Sequence, residues 1–132
     1  KPLPSLLEAF DPVSGVSSPW ERCLSTVEPF ARAGGLKVRT KDELTEAGHA
    51  KHPSRTEAVI DRVLREARPT VVCTHRPVLP TVIEAVRRSA QPGASLELPR
   101  EDPYLAAGEA LLLHVTPDGA VVAIERHLPN IG

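Results

Sequence analysis

The run "TVVCT", residues 70–74, constrains the fold more than any other part of the chain. A strand with one wet face alternates polar and apolar residues with a period of two. This run does not, so it reads as a central strand covered on both faces, as in a parallel α/β sheet. Its flanks agree. Before it, from Arg55 to Ala67, Val59, Ile60, Val63, Leu64 and Ala67 recur at helical spacing. After it, Leu79, Val82, Ile83 and Val86 mark a second amphipathic helix.

Around this centre the other elements follow in order. "LLEAF" (6–10) has the look of the last turns of a helix, "DPVSG" of a loop, and "VSSP" of the short end of a strand. "SPWE" predicts a capping box, with Ser18 as cap, Pro19 at the first helical position and Glu21 three residues after the cap. Cys23, Leu24, Val27 and Ala31 give that helix an apolar side. Pro29 is expected to bend or shorten it, and "AGG" to close it. "LKVRT" (36–40) alternates as a strand does, and the polar stretch "KDELTEAGHAKHPS" reads as a loop. After a second loop, "SAQPGASLELPREDPY", two β-rich runs around Pro117-Asp118-Gly119 predict a hairpin. The fold class expected is α/β, a three-layer plan with helices on both faces of a sheet and a C-terminal antiparallel hairpin at its edge.

The 132 residues suit one domain with a modest core. Sixteen basic and 17 acidic residues leave a formal charge of -1, which implies no broad cationic surface for duplex nucleic acid or anionic lipid. A local anion pocket needs only two or three focused charges. No apolar run approaches the length of about 18 residues needed for a membrane span, and no basic-then-apolar leader is visible. The two cysteines, Cys23 and Cys73, sit among apolar neighbours and read as small buried thiols in a reducing compartment. The protein is therefore expected to be cytoplasmic. With no methionine in the sequence, residue 1 is not expected to be a native start.

Ligands of open parallel sheets gather beyond the carboxyl ends of the strands. Two such places carry suggestive residues. Arg22 follows "VSS" on the first turn of a helix, and His75, with Arg76 beside it, follows "VVCT". A helix N-terminus offers free backbone donors, an arginine adds a fork that matches phosphate oxygens, and a histidine can donate from a ring nitrogen near neutral pH. Together they describe a small phosphate pocket. The plainer readings are that Arg22 is solvated and that His75 binds only local backbone. His49 and His52 lie in the polar loop and are expected at the surface, while His114 and His127 fall in the hairpin. None has metal-ligand spacing with another histidine or a cysteine, so no metal is expected. Ser17 and Ser18 lack the glycine-flanked elbow of a serine nucleophile, and a capping role accounts for Ser18.

Two of these segments, taken as a pair, resemble a known family. "SSPWERCLSTVEPF" is similar to the "SSP, two residues, RC, two residues, T" segment of the histidine phosphatase superfamily, and "VVCTHRPVLP" is similar to that family's second histidine block. The resemblance spans nearly the whole chain. It is strongest to the C-terminal domain of actinobacterial two-domain proteins in which a Nudix domain precedes a histidine phosphatase domain, hydrolases of oxidised guanine nucleotides and diadenosine polyphosphates. The resemblance implies a phosphoglycerate-mutase-like fold and a pocket of two histidines, two arginines and a carboxylic acid. Carried over, the arginine is Arg22 and the second histidine is His75. The acid is Glu46, with Glu43 the alternative. In such a pocket a histidine attacks phosphorus, the acid protonates the leaving oxygen, and water cleaves the phosphohistidine.

The family's nucleophilic "RH" segment has no counterpart before "SSP"; the one "RH" here is Arg126-His127, too late in the chain. The expectation is one histidine-phosphatase-like domain over residues 1–132, incomplete at its N-terminus. It should be inactive alone and complete with an upstream segment. In the family that segment ends a strand in the middle of the sheet. Arg76 stands where the family has glycine, either narrowing the pocket or adding a contact to a polyphosphate. No cofactor is implied for this domain, and magnesium only for an upstream Nudix domain. Partners implied are a nucleotide or other phosphate-bearing small molecule and the missing segment or Nudix domain, with neither duplex nucleic acid nor membrane. The functions implied are an enzyme of nucleotide metabolism and DNA repair or, alternatively, a non-catalytic module that docks on a Nudix domain and helps hold its nucleotide.

Overall fold

The structure is a computed structural model that describes residues 14–35, 37–68, 70–101, 104–105 and 110–127, with every side chain in these ranges except those of residues 30, 110, 112, 126 and 127. The expected helix at 6–10 lies outside them. The described chain is α/β. Strand β1 (Ser14–Ser17) leads to helix α1 (Glu21–Gly34), β2 (Lys37–Thr40), a 3₁₀ turn (Asp42–Leu44), α2 (Glu46–Lys51) and α3 (Pro53–Glu66). Strand β3 (Thr70–Cys73) follows, then a second 3₁₀ turn (Arg76–Val78), α4 (Leu79–Ser89), the short α5 (Pro92–Ser95), and strands β4 (Ala110–Val115) and β5 (Val121–His127).

β1, β2 and β3 form a parallel sheet in the order β2-β1-β3, with Val16 opposite Arg39 on one side and Val72 on the other. Side chains alternate between faces along a strand. Val16 and Val72 therefore face the core of Ile60 and Leu64 from α3 and Ile83 and Val86 from α4. The opposite face receives α1, whose Cys23 and Val27 are buried. This gives α1, sheet, and α3 with α4 as three successive layers. The helical spacing seen at 55–67 and 79–86 corresponds to α3 and α4, and the buried residues Ile60, Leu64, Ile83 and Val86 are its apolar positions.

Several expectations change. β1, buried at all four positions, is the central strand; β3 is half-buried throughout and has no partner on its outer side among the described residues. An apolar run reports cover over both faces of a strand, not pairing along both edges. The stretch 41–54 is not a loop. Thr45 caps α2 by accepting the Gly48 N–H at 2.8 Å and donates to the Asp42 carbonyl at 2.7 Å, and Pro53 opens α3. Pro29 does not shorten α1, which runs 14 residues to a left-handed Gly35 with φ 67°. The capping box at 18–21 does not form, since α1 starts at Glu21 without a side-chain cap.

The hairpin is present with its turn at 116–120, but it forms a two-stranded sheet of its own instead of an edge of the parallel sheet. Val121 and Ile124 join the core, and the Val121 carbonyl accepts the Gln91 N–H at 2.9 Å. The turn needs glycine at 119, where φ is 90° and a Cβ would stand 3.3 Å from the Leu64 carbonyl oxygen. No helix among the described residues is long and apolar enough to cross a membrane.

Candidate functional site

β1 and β3 are parallel neighbours whose chains leave toward opposite faces, β1 into α1 and β3 into α4. Their carboxyl ends therefore lie where the ligand crevice of such sheets is usually found. The Ser18 N–H bonds to the Cys73 carbonyl at 3.0 Å, which carries the pairing one step past the strands and aligns the residues that follow. Thr74 donates to the Leu44 carbonyl at 2.6 Å and ties the end of β3 to the turn before α2.

At the crevice His75 is buried, with 7% of its surface exposed, and its Nε2 lies 2.8 Å from the Oγ of fully buried Ser18. Ser18 Oγ also accepts the Trp20 N–H at 3.1 Å, so its hydroxyl is held from two sides. The Cys23 Sγ is 3.7 Å from the same Nε2. The Trp20 ring centroid sits 4.9 Å from that of His75, tilted by 52°, while 41% of Trp20 remains exposed. One imidazole thus meets a hydroxyl, a thiol and an exposed indole.

Burial holds the His75 pKa below its ordinary value of 6.5; the Glu46 carboxylate pulls it up and the Arg22 guanidinium pushes it down. Burial thus favours the neutral imidazole. Burial also raises both thiols, Cys73 to about 12, and the two thiols interact with each other across the sheet–α1 contact. Both cysteines are free thiols, Cys23 buried and Cys73 half-buried. At such values they stay protonated and are poor nucleophiles at neutral pH.

Of the residues singled out in the sequence, Arg22 and Glu46 both act electrostatically on His75. Arg22 is exposed on the first turn of α1, and Glu46 is the exposed first residue of α2. Glu43 lies instead in the 3₁₀ turn, lining a separate cavity beside β2, while Glu46 exerts an electrostatic pull on His75. Arg76 is exposed in the second 3₁₀ turn. His49 is half-buried, not at the surface as expected, with Nε2 2.6 Å from Thr81 Oγ1, which joins α2 to α4. His52 is half-buried at the start of α3. His114 meets Glu125 across the hairpin at 2.6 Å.

Ser18 and Trp20 were missed as site residues. The proline between them suggested a cap for Ser18, and only the folded chain brings both to the imidazole. Among the described residues, no group of three or more His, Cys, Asp and Glu side chains could hold a metal ion. No protein-family model matches the chain, and neither does any curated protein.

Trp20 is the sole tryptophan, so its emission reports on its neighbour. An imidazolium quenches indole fluorescence by electron transfer, and the neutral ring quenches far less. Acid titration should quench Trp20 with a midpoint below 6.5, lower still in Glu46→Gln and higher in Arg22→Gln. His75→Ala should abolish the step, and a midpoint at or above 6.5 would contradict the burial of the ring. The same shift sets a stability trend. The unfolded chain protonates this histidine near 6.5 and the folded chain only below that. Stability is therefore complete above pH 6.5 and declines with acid down to the folded value.

Proposed function

We propose that the chain is part of a phosphohydrolase of the histidine phosphatase type, with a phosphoglycerate-mutase-like fold. It would act on nucleotide phosphates such as 8-oxo-guanine nucleotides or diadenosine polyphosphates. One observation supports this reading above the rest. A buried imidazole at the carboxyl ends of two parallel strands feels both the carboxylate of Glu46 and the guanidinium of Arg22. In this reading Arg22 and His75 hold the oxygens of the transferring phosphoryl group, where fixed donors favour the charge of the transition state. Glu46 protonates the leaving oxygen. Trp20 lies against the imidazole and shields it from water.

The histidine that attacks phosphorus and the second arginine belong, in this reading, to a further segment. That segment pairs with the outer edge of β3, which has no partner among the described residues although Val72 packs into the core. Such an edge invites a strand. A Nudix domain, with its magnesium, would accompany the module in a cytoplasmic protein, while this domain's own chemistry uses no cofactor.

The test is a protein carrying the upstream segment, assayed on nucleotide and aryl phosphates in excess chelator. Metal-independent turnover with a phosphohistidine trapped by acid-free denaturation is expected. The second reading, a non-catalytic module docked on a Nudix domain, is favoured by the exposed Arg76 beside the site. It predicts no turnover in chelator and loss of complex in Arg76→Glu.

A further inference from the structure

A second concave region lies away from His75, between edge strand β2 and helix α3, with a volume of about 360 Å³. Its floor is apolar, made by the buried Val16 and the half-buried Val59 and Val63. Its walls carry five cations, Arg39, Lys41, Arg55, Arg62 and Arg65, against two carboxylates, Glu43 and Glu66. In a chain of net charge -1 this is a concentrated positive field.

The pairing within it is uneven. Arg39 reaches Glu66 at 3.3 Å, and Arg68 reaches the same carboxylate from outside the cavity at 3.5 Å. The Arg39 hydrogen bond holds the Glu66 carboxyl below its usual range, with Arg68 and Arg62 adding to the effect. Lys41, Arg55, Arg62 and Arg65 have no carboxylate within 4.0 Å among the described residues. Elsewhere on the surface, Arg32 and Arg87 each meet one and Arg88 meets two. Four cations gathered around one concavity repel each other, and an anion seated among them relieves that repulsion.

We propose that this groove binds a linear polyphosphate group. Arginine forks match phosphate oxygens in pairs, which lysines and backbone alone do not. Arg55 and Arg62 stand two helical turns apart, about 10 Å along α3, a span that suits an extended anion over a single compact phosphate. The bounded volume lies at the small-ligand end of the usual range of about 300–1,000 Å³, so a small molecule fits it better than a peptide strand. The apolar floor can receive the organic part of a nucleotide. Neither His75 nor the proposed hydrolysis enters this inference, and either can fail without the other.

The experiment is calorimetric titration of the 132-residue chain at low salt with tripolyphosphate, ATP, AMP and inorganic phosphate, alongside a hexaglutamate peptide. Tripolyphosphate and ATP should bind, phosphate and AMP much more weakly, and salt should weaken both complexes. ATP binding tighter than tripolyphosphate assigns a nucleotide; equal binding assigns an inorganic chain. Arg55→Gln/Arg62→Gln, on exposed positions, should weaken binding by at least about tenfold through the loss of charge-assisted bonds. Arg32→Gln/Lys51→Gln, two exposed cations outside the groove, should leave it unchanged. The proposal is overturned by absence of tripolyphosphate binding to the wild-type chain, by wild-type affinity in the Arg55→Gln/Arg62→Gln variant, by an equal loss in Arg32→Gln/Lys51→Gln, or by hexaglutamate binding as tightly as tripolyphosphate.

Discussion

Turnover on phosphate substrates is expected to fall by about 10²–10³-fold when His75 is replaced by alanine in the protein that carries the upstream segment, the scale seen when one fixed oxyanion donor is lost. The effect should appear mainly in kcat, because the ring's contribution grows with the charge on the transferring oxygens. His75 is buried and bonded to Ser18, so the truncation also leaves a small cavity and frees the serine hydroxyl. Two measurements separate chemistry from folding. Far-UV circular dichroism and the melting temperature report the fold, and Ser18→Ala removes the imidazole's partner while keeping the ring. A rate drop in His75→Ala with a native spectrum, and a smaller one in Ser18→Ala, is the expected pattern. Unchanged turnover in His75→Ala would end the assignment of this residue.

Gly48→Ala is expected to cost about 1–3 kcal/mol, the range for forcing a methyl into a filled site. A Cβ at Gly48 would overlap the Asp42 carbonyl oxygen, 2.9 Å from its carbon and 3.0 Å from Thr45 Oγ1. The first two partners are backbone and cannot swing aside. The 3₁₀ turn must part from α2, which strains the Thr45 cap and the Thr45–Asp42 bond together. A melting temperature lower by several degrees checks this, and a melt identical to the parent's would refute it. The same change moves Glu46, two residues earlier on α2. Because that carboxylate raises the His75 pKa, its retreat should shift the Trp20 quenching midpoint further down. One substitution thus links the packing of the 41–54 stretch to the electrostatics of the crevice.

That stretch also shows where sequence patterns stop. "KDELTEAGHAKHPS" has too few apolar residues for a helical stripe, yet it folds into a turn and a helix around Leu44, which is fully buried. Its order comes from polar bonds, Thr45 to Gly48 and Asp42, and Thr56 to the Glu43 carbonyl at 2.7 Å. Hydrophobic periodicity does not register such bonds. Ser18 gives the same lesson, because its partner lies 57 positions away. By contrast, α3 and α4 were legible because each must bury one apolar face, and that requirement is written at intervals of three and four residues.

Residue type and spacing alone determined the alternation of strands and helices, the hairpin around Gly119, and the choice of Arg22 and His75 as candidates; Glu46, with Glu43 as its alternative, came from the family resemblance. These follow from local periodicity and from what each side chain can do. Tertiary structure alone decided that β1 is the central strand, that the hairpin stands apart from the parallel sheet, and that Ser18 and Trp20 enclose the imidazole. It also placed Glu43 in the lining of the cationic groove and left Glu46 as the carboxylate whose charge His75 feels. Strand order and proximity across a crevice depend on contacts between distant segments, and the free energy of those contacts is set by the assembled core and not by any single stretch of chain.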